Sequence, residues 1–176
     1  MPQPQRNHRI RERERRNKEL FNMTYIFQFF GIWILSALIA FGMRCIVLHA
    51  FSISPTGRVG NGILTLYEEH GLSAAFNLFG GNQEAIISAS MILILALSFI
   101  VIFASTKLKQ AMISAMAFFC AGVSMNMFDR MQNGNVLNYI HCDFMPSFPV
   151  FNVPDIMVVI GAVCLVLSLI TFGEKK

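Results

Sequence analysis

Charge is what this sequence has least of. Only 14% of its 176 residues are Asp, Glu, Lys or Arg, where a soluble domain carries about 25%. That shortage excludes an ordinary water-facing globule. Cysteine is sparse as well: Cys45, Cys120, Cys142 and Cys164 never fall into C-x-x-C. Three of them lie in apolar runs, where a small buried residue is the default reading. H-E-x-x-H is missing, which argues against a zinc peptidase in the membrane. No G-x-S-x-G elbow occurs either, so the corresponding serine hydrolase site is lacking. His141-Cys142-Asp143 has ligand-type residues, but adjacent strand side chains point to opposite faces, so no metal site is expected there. Beyond an Arg-rich tail there is no low-complexity tract, and no internal repeat.

What is abundant is apolar length. Hydrophobic residues make up 55% of the chain and mean hydropathy is +0.55, so the expected solvent is lipid. A membrane helix needs about 20 apolar residues. Four segments meet or approach that, at about 24–48, 85–105, 111–128 and 154–172. The first is too long for a signal-peptide core and lacks a cleavage pattern, so it reads as a retained span. Residues 1–23 are a basic tail, 24–172 a membrane domain and 173–176 a short end.

Positive charge sets the orientation. Arg6, Arg9, Arg11, Arg13, Arg15, Arg16 and Lys18 precede the first span. Lys107 and Lys109 separate the second from the third, and Lys175 and Lys176 follow the fourth. Lys and Arg mark the cytoplasmic side, which places both termini there. The tail mixes Glu with Arg in RNHRIRERERRNK, a pattern suited to a solvated helix or an anionic lipid surface. Nucleic acid is not an expected partner.

The two connections on the opposite, outer side carry the interest. Ala50 to Gln83 is long, punctuated by Gly and Pro, with room for short strands around ILTLY. Loops of that length are more often functional than idle. The second, Asp129 to Val153, contains the β-prone run VLNYI and the Pro-marked FMPSFP. The expected fold is therefore an all-α membrane bundle of four transmembrane helices with a small β-rich element on the outer face.

Two carboxylates stand at that face in similar settings, Asn126-Met-Phe-Asp129 and Asn152-Val-Pro-Asp155. Asn152, Pro154 and Asp155 make a good helix start: an Asn cap, an early proline, an acid at the positive end of the dipole. Capping alone could account for Asp155. Asp129, at the end of the third apolar run, faces the unfavourable end of a dipole, with Arg130 next to it as compensation. Ionisable groups at membrane depth are costly and tend to be functional. Two carboxylates held together cannot both ionise, so one keeps a proton while the other acts as base on water. Such a pair hydrolyses peptides without metal or cofactor.

These segments resemble a family, signal peptidase II. Its G-N-x-x-D-R, V-V-D-F-I and F-N-x-A-D-x-x-x-x-x-G hallmarks correspond to Met125-Asn-Met-Phe-Asp-Arg130, Val136-Leu-Asn-Tyr-Ile140 and Phe151-Asn-Val-Pro-Asp-Ile-Met-Val-Val-Ile-Gly161. Leu72-Ser-Ala-Ala-Phe76 is similar to its outer-loop N-x-G-A-A-F. The resemblance implies an aspartic peptidase that removes signal peptides from diacylglyceryl-modified prolipoproteins in the bacterial cytoplasmic membrane. It implies no cofactor, a monomer, and lipid as the surrounding partner. It makes Asp155 one catalytic acid and puts Asn138 at the position of the other. Asn126, Arg130 and Asn152 would orient carboxylates and substrate.

The departures are specific. Asn138 cannot ionise, so Asp129 or, less readily, Asp143 is the expected substitute acid. The family's outer-loop Asn corresponds to Gly71 or His70, its Ala before the catalytic Asp to Pro154, and its acid and Lys in the first span to Ala40 and Arg44. A catalytically impaired homologue that binds lipidated signal peptides, or another membrane partner, is the alternative.

Overall fold

The computed structural model describes residues 3–54, 56, 58–60, 63–71 and 81–173. Four long helices dominate it: α1 (Gln3–Ile53), α2 (Gln83–Ala104), α3 (Gln110–Asn133) and α4 (Val153–Gly173). Each holds a stretch long and apolar enough to cross a membrane: Asn22–Ile53, Gln83–Ala104, Gln110–Asn133 and Val153–Thr171. Large apolar side chains such as Leu38, Ile92, Phe103 and Val159 are exposed on the bundle surface. That distribution suits a lipid solvent, which is as apolar as the side chains it touches. The chain is a multi-pass membrane protein.

Lipid supplies no hydrophobic drive between helices, so packing and interhelical hydrogen bonds must hold them together. α3 is the hub, with a buried surface running from Met112 to Arg130. Helix α1 meets it through Phe29 and Ala40; the buried positions Phe29, Ser36, Ala40 and Val47 recur at steps of seven and four residues, which keeps one face inward. Three polar rungs join the two helices: Gln28 Nε2 to Ser114 Oγ at 2.8 Å, Trp33 Nε1 to Ser124 Oγ at 3.1 Å, and Arg44 Nε to Asp129 Oδ1 at 2.8 Å. At the far end Ser105 Oγ donates to Asn22 Oδ1.

Helices α3 and α4 approach closely because each presents a glycine. A Cβ at Gly122 would lie 2.4 Å from the Pro154 carbonyl oxygen, and one at Gly161 would lie 2.7 Å from the Phe119 backbone nitrogen. Backbone cannot swing aside as a side chain can. Gly161→Ala should therefore push α4 off α3 and lower stability by about 1–3 kcal/mol, read as a drop in thermal midpoint in detergent. An unchanged midpoint would mean the helices can separate there at no cost.

The third apolar run stops at Phe128, yet α3 continues to Asn133. Gly134, with φ 71°, ends it in a left-handed cap, its N–H reaching the Arg130 carbonyl at 2.9 Å. Asp129 and Arg130 thus lie within the last turns of the helix and inside the bundle.

A three-stranded antiparallel sheet caps this end of the bundle. Its strands are β1 (Arg58–Val59), β2 (Leu64–Gly71) and β3 (Val136–Cys142), in the order β1-β2-β3. The apolar ILTLY and VLNYI runs therefore form a single element, as their β-prone composition suggested. Glu69, His70 and Gly71 pair with Asn138, Leu137 and Val136, after a register irregularity between Leu66 and Glu69. Along its other edge β3 is tied to Phe151, which exchanges backbone hydrogen bonds of 2.8 and 3.0 Å with Ile140. The sheet rests on α1 through Val47, Leu137 and Tyr139. The segment Leu72–Phe76 lies outside the described residues.

Candidate functional site

The Phe151 bridge delivers the chain directly into α4, so Asn152 and Asp155 arrive beside β3. Asn152, 1% exposed, caps the helix: its Oδ1 accepts from the Asp155 N–H at 2.8 Å, and its own N–H donates to Asp155 Oδ2 at 3.1 Å. This reciprocal pair satisfies two end donors of the helix at once. The other carboxylate oxygen, Oδ1, accepts from Asn126 Nδ2 at 2.7 Å. Asp155 is thus both a capping residue and the centre of a polar cluster, and the two readings of the sequence are compatible.

The amides lock together around it. Asn152 Nδ2 lies 3.1 Å from Asn126 Oδ1, 3.1 Å from Asn138 Oδ1 and 3.2 Å from the Leu137 carbonyl. Arg130 Nη1 donates to the Asn126 carbonyl at 3.2 Å, bracing the turn of α3 that carries Asn126. On the far side of Asn138, a Cβ at Gly71 would lie 2.9 Å from Asn138 Nδ2. Gly71 therefore leaves the space that the Asn138 side chain uses. Asn126, Asn138, Asn152 and Asp155 form one connected group drawn from α3, β3 and the start of α4.

Asp129 and Asp143 have other partners. Asp129, 4% exposed, pairs with Arg44 Nε at 2.8 Å and accepts from the Leu137 N–H at 3.3 Å. It is one peptide unit from the cluster, since the Leu137 carbonyl receives Asn152. Asp143 accepts from Thr65 Oγ1 at 2.7 Å and meets His141 Nδ1 at 3.1 Å. Those bonds, the one from Thr65 first, hold its carboxyl below the usual carboxylate range. Their contribution to stability is present above the ordinary carboxylate pKa and fades as pH falls through the lowered value. Tyr139 receives the Val153 N–H at 3.2 Å, and burial pushes its phenol up. It stays neutral and fixes the first residue of α4. No group of three or more metal-ligand side chains occurs among the described residues.

The residue that sequence reasoning missed is Arg44. Arg130, adjacent to Asp129, is the compensating charge that the sequence names; Arg44 adds an ion pair with Asp129 that reaches across 85 positions to α1. A cue was present in the pattern of the first span, where Arg44 stands at the family's Lys position, although nothing there named its partner.

Comparison with known proteins identifies the family and the fold. The model of a family described as signal peptidase (SPase) II matches residues 32–171. The lipoprotein signal peptidase of Dehalococcoides mccartyi is 32% identical over 120 residues, 65% of this chain and 72% of that one. That of Lactococcus lactis subsp. cremoris is 29% identical over 132 residues, 74% and 85% of the respective chains. A solved bacterial membrane enzyme superposes with a TM-score of 0.71 at 20% identity, covering 85% of this chain and 91% of its own. That last likeness is one of fold. With four apolar helices, a capping sheet and a family match that spans α1 to α4, the chain belongs to the signal peptidase II family of peptidases.

Proposed function

We propose that this protein removes signal peptides from diacylglyceryl-modified prolipoproteins by aspartic hydrolysis, at the outer face of a bacterial cytoplasmic membrane. The observation that carries the proposal is the Asp155 carboxylate, held by Asn126 and by the Asn152 backbone at the N-terminal end of α4. Both bonds fix its orientation without neutralising it. The likeness to the lipoprotein signal peptidases above supports the substrate class.

Asp155 accepts a proton from the attacking water and later returns it to the leaving nitrogen. Asn126 and Asn152 hold the carboxylate on its axis, and Arg130 braces Asn126. Asn138 shares the network through its amide and orients Asn152. Asp129 clamps β3 to the bundle by joining Arg44 to the Leu137 N–H. An open groove of about 550 Å³ runs along α1, α3 and α4 toward the end of the bundle away from Asp155, lined by Ile32, Ala111, Phe118, Ile160, Cys164 and Leu167 among others; its size and apolarity suit part of a signal helix or an acyl chain. The distribution of Lys and Arg supports cytoplasmic termini.

The test is a gel-shift assay with purified protein in detergent. Diacylglyceryl-modified prolipoprotein should be cut just before the lipid-bearing Cys, and the unmodified precursor should not. Equal cutting of both would remove the lipid from the specificity. A homologue that only binds would retain the lipidated precursor uncut.

A further inference from the structure

An aspartic mechanism needs a second carboxyl, and Asn138 does not supply one. Asp129 is committed to Arg44 and the Leu137 N–H, and Asp143 to Thr65 and His141. The sheet pairs another acid with Asn138. Glu69 on β2 is the direct cross-strand partner of Asn138 on β3. Residues directly opposite in an antiparallel pair point to the same face, with Cβ atoms about 5 Å apart.

Two independent contacts confirm the facing. Gly71, two residues beyond Glu69 and therefore on its face, would aim a Cβ at the Asn138 side chain. His70, between them, turns the other way: its ring meets Asn135 at 2.9 Å and Glu68 at 3.0 Å. Glu68 and His70 thus share the opposite face, and Glu69 is left on the side of Asn138. Its side chain is exposed, and among the described contacts none commits it elsewhere. It is also one methylene longer than aspartate.

We propose that Glu69 is the second catalytic carboxyl, transferred from β3 to the facing position of β2. This rests on the hydrolysis of prolipoprotein proposed above. The pair carries one proton, which Glu69 donates as general acid while Asp155 acts as the base. Water adds to the scissile carbonyl carbon, giving one proton to Asp155, while Glu69 gives its proton to the carbonyl oxygen. The resulting gem-diol collapses: the C–N bond breaks, the nitrogen takes the proton from Asp155, and one hydroxyl proton returns to Glu69. Atoms balance, and both carboxyls regain their starting states. Asn138, too close to the centre to be a bystander, keeps the amide contact that orients Asn152.

The test compares cleavage of diacylglyceryl-modified prolipoprotein by wild type, Glu69→Gln, Glu68→Gln, Asn138→Asp and the double variant Glu69→Gln/Asn138→Asp. Glu69→Gln should lose about 100-fold or more, Glu68→Gln should match wild type, and the double variant should regain cleavage because the acid has returned to β3. That recovery separates a missing carboxyl from a misfolded sheet. Full activity in Glu69→Gln would overturn the role of Glu69 while leaving the peptidase reading intact. Cleavage by Asn138→Asp but not by wild type would also overturn it, since the natural chain would then lack a second acid. Silence in wild type and Asn138→Asp alike would overturn the substrate reading and this proposal with it.

Discussion

Asp155→Asn should reduce prolipoprotein cleavage by about 100- to 10,000-fold. The substitution keeps the shape of the side chain and removes its capacity to take a proton. It also replaces one acceptor oxygen by an NH2 group, in a site where both carboxylate oxygens receive donors. Whichever way the new amide turns, one donor, from Asn126 or from the Asn152 backbone, faces another donor. The helix start should weaken by about 0.5–2 kcal/mol in consequence. Those two effects are separable: cleavage measures the chemistry, thermal unfolding in detergent measures the cap. A variant with a lowered midpoint and full cleavage would make Asp155 a capping residue alone.

The polar cluster was legible as residues but not as geometry. Asn126, Arg130, Asn152 and Asp155 could be picked out because each stands in a recognisable pattern at the end of an apolar run. The Asn152–Asp155 cap could be read because capping is local, involving four consecutive positions and the helix dipole. The four helices followed from hydropathy, since lipid imposes a minimum apolar length. Strand register is different. Which residue of β2 faces Asn138 depends on the irregularity between Leu66 and Glu69, and one residue of slip would put His70 there instead. Composition carries no trace of that choice. The extent of α3 was hidden for a related reason: the polar residues that end its apolar run are stabilised by contacts distant in sequence.

Arg44→Met should be among the most destabilising single changes in the protein, by about 3–5 kcal/mol. It strands Asp129, whose side chain is 6% exposed, without the guanidinium 2.8 Å away. Removing one member of a buried pair costs more than the pair itself contributes, because the remaining charge keeps its desolvation penalty. The double variant Arg44→Met/Asp129→Leu should recover much of the loss, since it removes both charges. Recovery should stop short of wild type, because Asp129 also accepts the Leu137 N–H. Left without that acceptor, a buried donor costs about 1–3 kcal/mol, and Leu137 is the residue whose carbonyl anchors Asn152. The double variant should therefore be stable enough to purify and yet cleave poorly. Unfolding midpoints of the single and double variants, beside their cleavage rates, test both halves of this expectation. If the double variant cleaved like wild type, the Asp129 contact to β3 would have no bearing on the site. If Arg44→Met unfolded no earlier than wild type, the pair would not be buried as the fold requires.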